Sequence, residues 1–170
     1  MNILKKCEKC NLYKNQLPLI DNELRGDIMW VGLSAKQVVN VDKSIPLENN
    51  TNSGKILEII EKRLPHLKFY KTNLVKCLPL NMSNQLRYPT TDEMFCCFHN
   101  LIYEINKIKP KIIFLLGKKV YDFVCKNIEG KGFDYANLFY VEHPSYIYVY
   151  KRKRINDYVD KIVNICKINL

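Results

Sequence analysis

Short apolar runs that end at glycine or polar residues alternate along this chain with longer stretches whose apolar positions recur at helical spacing. Ile28-Met29-Trp30-Val31-Gly32 predicts a buried strand closed by a glycine. Beyond Ser53-Gly54, the positions of Ile56, Leu57, Ile59, Ile60 and Leu64 predict an amphipathic helix. Phe69 to Val75 predicts a second strand, its alternation weakened by Lys71, Thr72 and Asn73. Thr90-Thr91-Asp92-Glu93 reads as an N-cap followed by an acidic first turn, opening a helix that runs to about Lys107 and stops before Pro110. Lys111-Ile112-Ile113-Phe114-Leu115-Leu116-Gly117 is the clearest strand, and a helix from Lys118 to about Asn127 follows it. Phe139-Tyr140-Val141 predicts a fourth strand that meets Glu142-His143-Pro144, and Arg154 to Ile168 a C-terminal helix with Ile155, Tyr158, Val159, Ile162 and Ile165 apolar.

Strands alternating with helices predict a parallel sheet covered on both faces. The expected architecture is one α/β domain over residues 1–170, three layers deep (α/β/α), around a central, mostly parallel four-stranded sheet. No internal repeat or low-complexity linker interrupts it. In such sheets ligands bind beyond the carboxyl ends of the strands, and Gly32, Asn73, Gly117 and His143 all fall at or near those ends.

Charge narrows the partners. The 27 basic and 17 acidic side chains give +10 at pH 7, which favours a polyanion such as DNA, RNA or an anionic membrane, although Lys-rich composition also follows from an A/T-rich genome. The longest apolar run, Ile112 to Leu116, is far short of the ~20 residues a bilayer span needs. The N-terminal lysines lead into Cys7-Glu8-Lys9-Cys10 rather than an apolar stretch, so no secretory signal is expected. Seven cysteines without an export signal argue for reduced thiols in the cytoplasm and against a disulfide framework.

These segments, in this order, resemble the uracil-DNA glycosylase superfamily, specifically its iron–sulfur branches, families four and five. The matching stretches are Cys7-x2-Cys10-Asn11-Leu12, Ile28 to Gly32, Ser53 to Leu57, and Thr72-Asn73-Leu74-Val75-Lys76-Cys77. Pro89 to Glu93 leading into Cys97, Lys109-Pro110-Lys111 leading into Leu116-Gly117, and His143-Pro144-Ser145 continue the match to about Asp160.

The resemblance implies that Cys7, Cys10, Cys77 and Cys97 hold a structural [4Fe–4S] cluster, with an N-terminal cluster-binding segment tied to the body. Zinc is the competing occupant, since four cysteines also make a closed tetrahedral site. Cys96 is the alternative to Cys97; spacing from the Asp92-Glu93 cap favours Cys97. Cys125 and Cys166 read as small hydrophobes on helix faces.

The resemblance further implies that Asn73 reads the base, its amide offering a donor and an acceptor to O4 and N3–H of uracil. His143 would stabilise negative charge at O2 of the departing base. Gly32, Leu33 and Leu47 would line the base pocket. Ser145 and the residues from Tyr146 to Tyr150 would form a loop that wedges into the duplex, with Lys151, Arg152, Lys153 and Arg154 on phosphates. His66 and His99 carry no motif and read as structural or exposed.

The first motif departs from the family. Gly32-Leu33-Ser34-Ala35-Lys36 stands where family four has Gly-Glu-Ala-Pro-Gly, so Leu33 replaces the water-activating acid. The family-five carboxylate position holds Thr51, and the base-stacking aromatic is replaced by Leu47. Asp42 and Glu48 are the nearest carboxylates. The expected function is a monomeric DNA glycosylase that releases uracil or a related modified base and leaves an abasic site. A DNA-binding member without turnover and a zinc-stapled interaction protein are the alternatives.

Overall fold

The computed structural model of the protein describes residues 3–130 and 136–170. Four parallel strands form one sheet in the order β2-β1-β3-β4: β1 Ile28–Ser34, β2 Phe69–Val75, β3 Ile112–Leu116 and β4 Asn137–Val141. Ile28 of β1 pairs with Phe69 of β2 on one side and with Ile112 of β3 on the other. The two strands that follow β1 in the chain therefore lie on opposite sides of it, which opens a crevice at the strand ends.

Period-two alternation in the strands divides the core into two layers. Met29, Val31, Ile113 and Leu115 face helices α2 (Thr91–Ile108) and α3 (Lys118–Asn127), meeting Leu101, Ile105, Val120 and Val124. Ile28, Trp30, Ile112 and Phe114 face α1 (Asn52–Arg63) and α5 (Ile155–Asn169), meeting Ile56, Leu57, Ile60, Val159 and Ile162. Trp30 stacks on Phe114 with ring centroids 4.7 Å apart. The three-layer α/β/α architecture is as the hydrophobic pattern predicts. Of the apolar positions expected on α1, only Ile59 turns outward.

Helix starts follow their local chemistry. Thr90 caps α2 through a full capping box, its side chain accepting from the Glu93 N–H while Glu93 accepts from the Thr90 N–H; such a cap contributes about 1 kcal/mol. Thr51 caps α1 by accepting from the Gly54 N–H. Gly54 has a second role: a Cβ there would collide with the carbonyls of Leu47 and Glu48, so the pocket loop can lie against α1 only over a glycine.

One expectation is corrected. Tyr146 to Tyr150 are not a loop: Pro144–Tyr150 form a short helix, α4. Pro144 occupies its first turn, where a missing N–H costs nothing, and His143 caps it. Arg152–Arg154 make a 3-10 turn into α5. Among the described residues no helix is long and apolar enough to cross a membrane.

Candidate active site

A cavity of about 860 Å³ opens at the carboxyl ends of β1, β2 and β4. Leu33, Leu47, Asn73, His143, Ser145 and Tyr146 all line it, so residues spread over more than a hundred positions of sequence share one hollow. Gly32, expected in the pocket wall, is not itself among the lining residues; it faces Asn73 across the β1–β2 ladder. A Cβ at Gly32 would collide with Asn73 Oδ1 and stand 3.5 Å from Leu47 Cδ2. Glycine is what lets the carboxamide lie over the strand.

Asn73 is only 4% exposed. Among the described residues its carboxamide has no hydrogen-bond partner, while its backbone carbonyl accepts from Lys76 Nζ at 2.5 Å. A buried amide left open in this way costs on the order of 1–3 kcal/mol. In a cavity wall, it marks a place where a polar ligand completes the bonding.

His143 is held by the helix it starts. Its Nδ1 accepts the Ser145 backbone N–H at 3.2 Å. Burial lowers its pKa below the usual histidine value, so the ring is neutral at pH 7. With Nδ1 occupied as an acceptor, the single ring proton belongs on Nε2. Gly117, at φ +95°, lies alongside; a Cβ there would stand 3.5 Å from the His143 Cβ.

Leu47 adopts φ +54°, a left-handed conformation unusual for leucine. Such strain is typical of functional loops. Its loop is tied down on both sides: Lys71 Nζ donates to Asn49 Oδ1 at 2.9 Å, and Glu48 accepts from the Ile45 N–H and from Asn50 Nδ2. No aspartate or glutamate lines the cavity among the described residues. Glu48 is occupied within its own loop, and Asp42 pairs with Lys5 on the surface at 2.9 Å.

The 78–90 loop supplies wall residues that local sequence patterns did not single out. Leu86, Arg87 and Tyr88 face the cavity, and Arg87 clamps Glu93 with two bonds of 2.7 and 2.8 Å. The Arg87 clamp holds Glu93 below the usual carboxylate range. Only the six-residue separation of an arginine from a capping glutamate could have signalled this. At the opposite rim, α4 exposes Tyr146, Val149 and Tyr150. Lys151 is engaged locally, 2.7 Å from Glu142 and 4.8 Å from the Tyr146 ring centre, while Arg152 packs on the Tyr148 ring. Lys153 and Arg154 continue the basic turn.

Behind Asn73 the cysteines gather. Cys97 Sγ accepts the Lys76 N–H at 3.3 Å, and Asn100 Nδ2 lies 3.5 Å from Cys7 Sγ and 3.6 Å from Cys97 Sγ. Burial raises the Cys77 thiol pKa, and the nearby sulfurs of Cys97, Cys10 and Cys7 raise it further. Cys96 instead points its thiol at the Lys9 carbonyl. Among the described residues no three His, Cys, Asp or Glu side chains converge tightly enough for a single metal ion. Cys166 is wholly buried and Cys125 half-buried, away from this group. His66 and His99 are exposed.

Comparison with known proteins bears on this geometry. The profile of the Uracil DNA glycosylase superfamily matches residues 16–167. A Type-4 uracil-DNA glycosylase of Sulfurisphaera tokodaii is 30% identical over 155 residues, covering 88% of this chain and 66% of that one. A second, from Saccharolobus solfataricus, is 30% identical over 134 residues, covering 75% of this chain and 58% of its own. The chain thus spans about two thirds or less of the length of these relatives. The crystal structure of wild-type Pedobacter heparinus SMUG2 superposes with a TM-score of 0.66 at 15% identity, covering 85% of this chain and 76% of that one, which establishes a shared fold. Sequence profile, relatives and sheet topology agree, and the chain belongs to the uracil-DNA glycosylase superfamily.

Proposed function

We propose that the protein is a DNA glycosylase that hydrolyses the N-glycosidic bond of uracil, or of a related deaminated or modified base, and leaves an abasic site. The observation that carries this reading is the buried, unpartnered Asn73 carboxamide sharing one cavity with the neutral imidazole of His143. A flipped-out base must be read at its edge inside such a pocket. The Asn73 amide supplies a donor for O4 and an acceptor for N3–H of uracil, and cytosine presents the opposite pattern.

His143 then acts on the other edge. Its Nε2–H donates to O2 as the glycosidic bond lengthens and charge gathers on the base. Being neutral, it stabilises the anion without having to lose a proton to it. The departing base takes the electron pair of the C–N bond, water adds to the sugar carbon, and a proton of that water ends on the base. With no carboxylate lining the cavity among the described residues, the water attacks a sugar cation that the leaving group has already formed. Slow turnover is the expected consequence.

Cys7, Cys10, Cys77 and Cys97 fit an iron–sulfur cluster. Burial raises the thiol pKa of Cys10, Cys77 and Cys97, and neighbouring sulfurs add to it, with the Lys76 ammonium opposing this at Cys77 and Cys97. A bound cationic core reverses that preference. Amide donors from Lys76 and Asn100 suit thiolate sulfur. When bound, the cluster would serve as a staple between the N-terminal segment and α2, outside the chemistry. At the rim, Tyr146 and Tyr150 offer rings to displaced bases, and the basic turn from Lys151 to Arg154 offers charge to phosphates.

The test is direct. Incubation with uracil-containing single- and double-stranded oligonucleotides, followed by alkali, should cleave the strand at uracil. A gel shift with no cleavage would favour the binding-only member, and neither would remove the reading.

A further inference from the structure

Three residues beyond Asn73, a lysine is sealed inside the protein. Lys76 and Glu104 are both wholly buried, their charged groups 2.5 Å apart. Lys76 Nζ also reaches Thr72 Oγ1 at 2.7 Å and the Asn73 carbonyl at 2.5 Å, so all three ammonium protons are used. Glu104 in turn accepts from Tyr70 Oη at 2.9 Å and from Thr72 Oγ1 at 2.9 Å.

Such a pair is poorly explained by stability alone. Taking two charges out of water costs several kcal/mol per ion, and a well-packed apolar pair of similar volume commonly does as well or better. What an apolar pair could not supply is a donor to the Asn73 carbonyl. That bond matters because β2 is an edge strand, with a neighbour on one side only. The strand carrying the base-reading amide therefore lacks half the ladder that steadies β1 and β3. Glu104, on α2, anchors the ammonium to the helix layer.

We propose that Lys76 is a positioning residue for base recognition: the ammonium, anchored by Glu104, fixes the end of β2 so that the Asn73 carboxamide is held toward the cavity. The inference rests on the reading of Asn73 as the base reader.

The experiment separates positioning from mere support by asking whether stability and base affinity move together. Tyr70→Phe removes one donor to Glu104 and so weakens the surroundings of the pair, but leaves the ammonium paired with Glu104 and on the Asn73 carbonyl. Lys76→Met combined with Glu104→Leu removes both charges and the donor while keeping volume. Each protein is measured for melting temperature, inhibition by free uracil, affinity for undamaged DNA and iron content. Tyr70→Phe should melt earlier yet keep uracil inhibition within about twofold of wild type. The double variant should recover a melting temperature near wild type and normal iron and DNA affinity, but bind uracil about tenfold more weakly, the loss expected for one misplaced hydrogen-bonding group. Unchanged uracil inhibition in the folded double variant overturns the proposal. If the double variant does not fold, the single variant still decides: uracil affinity that falls in step with melting temperature in Tyr70→Phe overturns it as well. A wild-type protein that excises uracil but is not inhibited by it defeats this inference and leaves the glycosylase reading standing, whereas a wild type that neither excises nor binds uracil defeats both.

Discussion

Two buried polar centres lie three residues apart, one near the end of β2 and one just beyond it, and they are finished differently. At Asn73 the carboxamide is buried yet open, facing a cavity shared with His143. At Lys76 every ammonium proton has a protein acceptor. Burial is costly in both places, more so for the charge, and the difference lies in what completes the bonding: a ligand in the first case, the fold in the second. Open buried polar groups point to chemistry, and closed ones to the frame that aims it.

That contrast can be broken experimentally, beginning where the effect should be greatest. His143→Ala should lower uracil excision by roughly 10²–10³-fold, the usual range for a lost donor to a developing anion. Its affinity for DNA should stay near wild type. Retained excision would remove the imidazole from the reaction.

Asn73→Ala should cost about tenfold to a hundredfold in uracil kcat/KM. Because it deletes an unsatisfied buried amide, the melting temperature should hold or rise. A large drop in stability would mean that the amide serves the fold, and the comparison would fail.

Cys97→Ala tests the closed side. It should abolish the brown colour and the absorbance that iron–sulfur proteins show near 400 nm, and lower the melting temperature by roughly 10 °C, as loss of about 3 kcal/mol of bound-metal linkage would. Cys125→Ala, outside the sulfur group, should keep the colour. Equal behaviour of the two variants would undo the ligand assignment.

The smallest effect is on pH dependence. The folded pKa of His143 lies below its unfolded value near 6.5. The neutral donor therefore persists as the solution is acidified past that point, and excision should stay flat to about pH 6.5 and decline only below it. The linked stability has the same sign: present in full above the unfolded pKa, and lost as pH falls through the folded one. A rate that halves at or above 6.5 would contradict a neutral, buried imidazole.

Much of the frame is legible in the chain. Phe69–Val75 and Lys118–Asn127 begin and end where the hydrophobic pattern and its breakers place them, because strand and helix periodicities are local properties. Thr90 and Glu93 announce α2 by the same logic. The site is legible in part: Asn73 and His143 share a cavity, as their places at strand ends imply. Helix α4 was missed because seven residues beginning at a proline carry too few turns for a periodic signal. Arg87 and Tyr88 were missed because a loop residue is aimed by its tertiary anchors, here Glu93 and Lys119. The Lys76–Glu104 pair joins a strand end to the middle of a helix 28 positions away, and nothing local predicts such a bond.

The most direct measurement is a crystal structure of the protein with uracil bound. Asn73 should bond O4 and N3–H through its carboxamide, and His143 Nε2 should lie within hydrogen-bonding distance of O2, with Nδ1 still on the Ser145 N–H. Uracil seated elsewhere, or an imidazole turned away from O2, would contradict the account.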